Sequence, residues 1–218
     1  MLLLESLYYD HYPNMQRIPI KIIISDVLSD SYIKLRSDLK EQLIKEEILR
    51  IDNYNGLMVL PHAVGDKINI LLNKMKIIEY TYDSSMTWLG TFAHELTHAI
   101  DYSQMAQKEK LDLYDSLLET DKYFMFHLWS EYHARKLGYS FLRKQLNVDY
   151  DGSNQKDRVE YIQKIEWPKH LECHYNEYHR TNNGNIQMND TMQLLGRYSV
   201  WCDLFPKEFN ESTFKETC

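Results

Sequence analysis

Glycine, proline and cysteine are scarce in this sequence, and each scarcity excludes a class of protein. The 218 residues include 7 glycines and 5 prolines, too few for the closely spaced turns of an all-β fold. The three cysteines, Cys173, Cys202 and Cys218, are odd in number and show no CxxC spacing. This usage indicates reduced thiols rather than a disulfide framework, and we therefore expect a cytoplasmic protein.

The sequence also lacks a long apolar run and a basic tract. Its apolar start, Met1 to Leu4, is followed at once by Glu5 and Asp10, which is not typical of a signal peptide. No stretch approaches the roughly 18 apolar residues of a membrane-spanning helix. The formal net charge is −7, from 32 acidic and 25 basic residues. We therefore expect neither a nucleic acid nor a membrane as a partner.

What the sequence does contain is enough apolar residues for a packed core, in patterns that alternate between strands and helices. Hydrophobic residues make up 44% and charged residues 26% of the chain. Apolar periodicity predicts strands at 18–25, 56–60 and 67–73, helices at 30–50, 87–110, 117–144 and 191–205, and a loop at 149–154. Strands come early and helices late, which predicts an α+β fold. We expect a single domain over 1–218, with a core at about 18–145 and a helical C-terminal part at about 150–218.

The most informative motif is His94-Glu95-Leu-Thr-His98, inside the predicted helix 87–110, for which Asp83 or Ser84 would be the N-cap. Residues four apart lie nearly above one another on a helix, so both imidazoles can bind one metal ion. Glu95 lies about 100° round the helix axis from His94. That is oblique for a third ligand, but it places the carboxylate beside a water on the metal, as a general base. A pair of purely structural histidines is the alternative.

A third ligand must come from outside this helix. Asp101 lies roughly 10 Å along the axis from His94, at 1.5 Å per residue. It is better placed to accept a hydrogen bond from a ligand imidazole, or it is simply an exposed helix residue. Glu131, in the predicted helix 117–144, is the better ligand, because a carboxylate among aromatic residues is costly unless it is paired or bound to metal. A salt bridge to an arginine is the alternative for Glu131, and His127 or His133 could take its place.

These segments resemble a known class of enzymes. The segment His94-Glu-Leu-Thr-His-Ala99 resembles the active-site helix of thermolysin-type metallopeptidases, and the spacing to Asp101 resembles that of neprilysin-like ones. Both are gluzincins, whose third ligand is a glutamate on a later helix, and Ser130-Glu131-Tyr-His-Ala134 resembles that helix. It is also similar to the ExxA pattern of small intracellular metallopeptidases of the ImmA/IrrE type, the nearer group for so short a chain. Arg135 departs from the thermolysin-like pattern, which has aspartate there.

The resemblance covers about residues 55–140 and carries expectations about fold and activity. It implies a zincin-like domain, in which a small twisted sheet packs on the active-site helix and a helical C-terminal part closes one wall. It implies a zinc ion and the hydrolysis of a peptide or protein substrate, with Glu95 as the general base. Gluzincins stabilise the reaction's oxyanion with a histidine or tyrosine. The candidates here are His133, His170, His174 and Tyr198, together with Arg197.

Two other functions fit the same residues. One is a latent regulatory or toxin-like zinc protease that acts on a single partner protein. The other is a non-catalytic zinc-binding module, whose metal would have no open coordination position. For a peptidase, we expect the strand 67–73 to form the sheet edge beside the metal and to bind an extended peptide by strand addition.

Overall fold

The computed structural model describes residues 2–39, 45–146 and 155–210. In this part of the chain most residues are helical and three strands form one mixed sheet, which confirms the α+β class. The chain divides into two compact units, Met1–Tyr123 and Phe124–Cys218. This division falls at the first residue of the second long helix. From the sequence, the core was expected to end at about residue 145 and the helical C-terminal part to start at about residue 150. The predicted loop at 149–154 lies outside the described residues.

The first unit contains the sheet and the helix that carries the two histidines. Its elements are α1 (Leu2–His11), β1 (Ile20–Ser25), α2 (Leu28–Leu35), a 3₁₀ turn (Ser37–Leu39), α3 (Lys45–Asp52), β2 (Gly56–Val59), β3 (Ile68–Asn73), α4 (Lys74–Tyr82), α5 (Thr87–Lys108) and a second 3₁₀ turn (Tyr114–Glu119). The three strands lie within two residues of their predicted bounds. The helices α1 and α4 were not predicted.

The sheet has the order β1-β3-β2, so β3 is its central strand. The strand β1 runs parallel to β3, and β2 runs antiparallel to it with Gly56 opposite Leu72. The prediction that 67–73 forms the sheet edge is therefore wrong. The physical reason is visible in the sequence Ile-Asn-Ile-Leu-Leu: a strand with two bonded neighbours and both faces covered needs an almost continuous apolar run. The edges are β1 and β2.

The helix α5 packs on this sheet, against β2 and β3. Five small and large apolar residues of this helix are fully buried, namely Phe92, Ala93, Leu96, Ala99 and Ile100. Gly56 allows β2 to come close, because a Cβ there would lie 2.8 Å from Cγ2 of Thr91. From the N-terminal helix, the hydroxyl of Tyr8 shares a hydrogen bond of 2.8 Å with that of Thr97. These contacts hold the histidine helix in one position on the sheet.

The start of α5 differs from the prediction. Its N-cap residue is Met86, which has a left-handed backbone conformation (φ 50°). The side chain of Met86 makes no capping hydrogen bond. Asp83 is instead the C-cap of α4, so neither Asp83 nor Ser84 caps α5. The unpredicted helix α4 forms because the Asn73 side chain accepts hydrogen bonds from the main-chain N–H groups of Met75 and Lys76.

The predicted helix 30–50 is also divided. The helix α2 ends at Leu35, and Arg36 leaves the helical conformation. The buried guanidinium of Arg36 pairs with Asp38 and Asp115. This pairing explains why α2 ends at Leu35, because it directs the Arg36 side chain to Asp115, which is distant in the sequence. Residues 40–44 lie outside the described residues, and α3 continues the helical pattern after them.

In the described part of the second unit, every regular element is a helix. It contains α6 (Tyr123–Gln145), which begins at the unit boundary, then α7 (Gln155–Tyr161), a π-helical turn (Ile162–Glu166), α8 (Trp167–Arg180) and α9 (Gly184–Leu204). Eight buried side chains form its core: Val159, Ile162, Trp167, Leu194, Tyr198, Trp201, Phe205 and Phe209. The helix α9 starts earlier than the predicted residue 191 because Asn183 caps it. None of the helices in the described ranges combines the length and apolarity needed to cross a membrane.

Candidate metal centre

The two histidines of the motif face each other one turn apart on α5. Both are buried, His94 with 8% and His98 with 6% of its surface exposed. Their Nε2 atoms lie 3.1 Å apart. With metal–nitrogen distances of about 2.0–2.1 Å, two nitrogens at this separation would subtend an angle of about 100° at one ion, close to the tetrahedral angle. A hydrogen bond between the imidazoles would give the same separation, so the other groups nearby decide the interpretation.

A carboxylate completes the group. One ligand atom from each of His94, His98 and Glu131 can be chosen so that all three lie within 4.8 Å of one another. Two imidazole nitrogens and one carboxylate oxygen form a donor set that zinc binds in proteins. The residues present therefore fit a metal ion. Among the described residues, neither Asp101 nor His133 belongs to this group.

Burial and polar neighbours act in opposite directions on the charge of Glu131. Burial raises the pKa of Glu131, while the positive potentials of His127 and Arg135 and a hydrogen bond from Gln193 act in the opposite direction. That hydrogen bond runs from Nε2 of Gln193 to Oε2 of Glu131 over 3.2 Å. A buried carboxylate is most stable in its charged form when donors or cations surround it. Arg135, the arginine nearest in sequence to Glu131, also donates a hydrogen bond to Oε1 of Gln193.

The carboxylate of Glu95 is oriented by the sheet. The main-chain N–H of Met58, on the edge strand β2, donates a hydrogen bond of 2.8 Å to Oε2 of Glu95. Because Glu95 directly follows His94, this bond ties the carboxylate next to the histidine pair to a rigid element. A carboxylate held in this way can accept and return a proton without a large rearrangement.

Asp101 is buried rather than exposed. Only 2% of its surface is accessible, which excludes the alternative of an exposed helix residue. It lies on α5 near Tyr8, whose pKa is raised mainly by burial and further by the negative charge of Asp101. A buried aspartate one helical turn from His98 remains a candidate outer partner of a ligand imidazole.

His133 and His127 occupy different faces of α6. His133 is two residues from Glu131, so the two side chains leave the helix about 200° apart, and its ring stacks on that of Trp129 with centroids 4.8 Å apart. His127 is four residues before Glu131 and shares its face. The Nε2 atom of His127 lies 3.0 Å from Nδ2 of Asn189. Of the two, His127 is the one on the same face as the carboxylate of Glu131.

The remaining oxyanion candidates belong to α8 and α9 of the second unit. Tyr198 is 5% exposed, and its hydroxyl donates to the main-chain carbonyl of Asn210. The Nδ1 atom of His170 lies 3.4 Å from Nη1 of Arg197. Burial and the adjacent positive charge of Arg197 lower the pKa of His170 to about 3, and burial also lowers the pKa of His174. Tyr198 is therefore part of a buried cluster of the second unit, and His170 lies beside Arg197.

Sequence reasoning missed three residues that contact Glu95, Glu131 or the neighbouring His127: Met58, Gln193 and Asn189. Met58 contributes its main-chain N–H, and no pattern of side chains in the sequence indicates such a contact. Asn189 and Gln193 do carry a signal, because they are four residues apart on one helix, as are His127 and Glu131 on another. The sequence alone does not show that these two pairs of residues lie opposite each other.

Comparisons of the chain with protein-family models, with curated proteins and with solved structures find no match. The geometry of the metal-binding group is therefore the observation from which a function can be argued.

Proposed function

We propose that this chain is a zinc-dependent metallopeptidase of the gluzincin type, with His94, His98 and Glu131 as metal ligands and Glu95 as the general base. The observation that carries this proposal is the set of three donor atoms within 4.8 Å of one another. A HExxH pair alone can arise by chance in a helix. Its combination with a partly buried carboxylate from a distant helix is the donor set of this class of site.

The chain's own residues would perform the proton transfers. A zinc ion held by His94, His98 and Glu131 would supply Lewis acidity, which would lower the pKa of a water and polarise a peptide carbonyl. The carboxylate of Glu95 takes the proton of the attacking water and returns it to the nitrogen of the leaving amine. The N–H of Met58 holds this carboxylate in place during both transfers. The burial of α5 against the sheet keeps the histidines and Glu95 in a fixed relation.

The presence of Glu95 favours catalysis over a non-catalytic zinc module, because a structural site has no use for an oriented carboxylate beside its ligands. The substrate we propose is a peptide or protein. The free thiols of Cys173 and Cys202 agree with a reducing compartment such as the cytoplasm. A latent protease that acts on a single partner would use the same residues.

The test measures metal content and cleavage on the same preparations. We expect about one zinc per chain in the purified protein and a large loss of zinc in His94→Ala. Cleavage of a diverse peptide library, followed by mass spectrometry, should disappear with a chelator and return with zinc. Glu95→Gln should retain zinc and lose about 10²- to 10⁴-fold in rate.

The outcomes separate the three functions. A protein that holds little zinc, even after zinc is added, would overturn the proposal as a whole. Zinc binding with equal cleavage by the parent and Glu95→Gln would remove Glu95 from the mechanism. Zinc binding without cleavage of any library peptide would favour the non-catalytic module, or the latent protease if cleavage appears only with one partner protein.

A further inference from the structure

Two helices of the second unit present matching pairs of polar side chains to each other. On α6, His127 and Glu131 are four residues apart, and on α9, Asn189 and Gln193 have the same spacing. Nδ2 of Asn189 lies 3.0 Å from Nε2 of His127, and Nε2 of Gln193 donates to Oε2 of Glu131 over 3.2 Å. Each of these side chains thus contacts a side chain on the other helix, and the second pair includes the carboxylate of Glu131.

The side-chain amide of Gln193 bonds in two directions, and the chemistry of its partners sets its orientation. Its Nε2 donates to Glu131, while its Oε1 accepts a hydrogen bond from Nη2 of Arg135. An arginine can only donate and an ionised carboxylate can only accept, so the amide oxygen must face Arg135 and the amide nitrogen must face Glu131. Among residues of this length, glutamine alone offers a donor and an acceptor at the tip of its side chain.

The backbones of the two helices approach closely beside this contact. A Cβ on Gly196 would lie 2.6 Å from the carbonyl oxygen of Tyr132, 2.9 Å from Cβ of Arg135 and 3.0 Å from the main-chain nitrogen of Lys136. Gln193 is three residues before Gly196 and therefore near the point of closest approach. The spacing of the two helices is fixed there, so the amide tip of Gln193 reaches Glu131 over a constant distance.

We propose that Gln193 is a positioning residue for Glu131, an inference that rests on the proposed metal site. It holds Oε2 of the carboxylate, so that Glu131 presents one orientation to the metal. Arg135 acts through it, by fixing the amide from the other side. This gives Arg135, which departs from the thermolysin-like pattern, a function different from that of the aspartate found there. Residues that hydrogen-bond to a metal ligand in this way typically contribute about 10- to 100-fold to metal affinity.

The test compares the zinc affinity of the full chain and its variants by competition with a chromophoric chelator. Gln193→Met keeps the length of the side chain and loses both hydrogen bonds. Gln193→Glu keeps the acceptor for Arg135 and replaces the donor to Glu131 with a second carboxylate. Gln163→Met is the matched control, because Gln163 is exposed in the same unit. We expect zinc affinity to fall about 10- to 100-fold in both Gln193 variants and to stay unchanged in the control.

A second readout separates positioning from a merely structural role. In the cobalt-substituted protein, the visible d–d spectrum reports the ligand geometry at the metal, and it should change in both Gln193 variants but not in Gln163→Met. The melting temperature of the metal-free protein should differ little between Gln193→Glu and the parent. If the Gln193 variants bind zinc as tightly as the parent and keep its cobalt spectrum, the inference is overturned while the metal site stands. If the parent itself binds no zinc, the proposed function is overturned and the inference with it.

Discussion

The main-chain N–H of Met58 donates a hydrogen bond of 2.8 Å to Oε2 of Glu95. This contact joins the edge strand of the sheet to the helix that carries both histidines. Met58 is opposite Ile70 in the antiparallel pair with β3, and its N–H points away from that strand, toward α5. A donor that an edge strand would otherwise leave for solvent or for another strand therefore orients the carboxylate that we assign as the general base.

Replacing Met58 with proline should remove this hydrogen bond without removing a bond between strands. Proline is tolerated on edge strands where the N–H faces outward. We expect Met58→Pro to keep its zinc and to lose about 10- to 100-fold in cleavage rate, the value of a hydrogen bond to a charged group. Leu57→Pro is the control, since the neighbouring N–H points to β3 and its loss should destabilise the sheet. Full activity in Met58→Pro would show that the hydrogen bond has no catalytic role.

The third ligand can be identified by comparing two carboxylate variants. Glu131→Ala removes a donor of the metal-binding group, whereas Asp101→Asn changes a buried residue outside it. Loss of a residue that only hydrogen-bonds to a metal ligand lowers metal affinity about 10- to 100-fold. We expect zinc affinity in Glu131→Ala to fall by more than this. In Asp101→Asn the fall should stay within that range. The measurement is chelator competition on both proteins, and a larger loss in Asp101→Asn would reverse the assignment.

The close approach at Gly196 predicts a large difference between two glycine substitutions on one helix. A Cβ on Gly196 would meet main-chain atoms of α6, which cannot move aside as a flexible side chain does. We expect Gly196→Ala to lower the free energy of unfolding by about 1–3 kcal/mol, the usual cost of overpacking. Gly184→Ala, with no atom within 4 Å of the added Cβ, should be neutral or slightly stabilising. Urea denaturation of both variants would check this, and equal stabilities would contradict the close helix packing.

The buried His170 predicts a loss of stability in acid. Its pKa in the folded protein is about 3, because burial and the charge of Arg197 oppose protonation, whereas the unfolded chain binds a proton near its ordinary pKa of about 6.5. As the pH falls below about 6.5, the unfolded state gains a proton that the folded state does not bind, so stability decreases. His170→Gln cannot gain this proton in either state.

The measurement for His170 is the free energy of unfolding of the parent and His170→Gln between about pH 7 and 4. We expect a smaller decrease in the variant. The carboxylates Glu131 and Glu166, whose pKa values are raised by burial, are present in both proteins and cancel in the difference. Parallel curves for the two proteins would show that His170 titrates normally in the folded state.

Local patterns in the sequence predicted the three strands, several of the helices and the placing of His94 and His98 on one face of α5. A helix repeats every 3.6 residues, so the spacing of His94 and His98 alone requires their rings to lie on one face, and the structure places their Nε2 atoms 3.1 Å apart. The strands β2 and β3 were predicted for the same reason, from short apolar runs. Departures occurred where a single side chain decides the end of a helix, as Arg36 does for α2.

Contacts between distant residues were decided only by the tertiary structure. The order of the strands depends on pairings between remote segments, and the run at 67–73 became the central strand instead of the edge. Gln193 and Glu131 are 62 residues apart in sequence, and Met58 and Glu95 are 37 residues apart. The strength of each bond depends on distance and direction in space, which the packing of whole helices and strands sets. No periodicity within one segment contains that information.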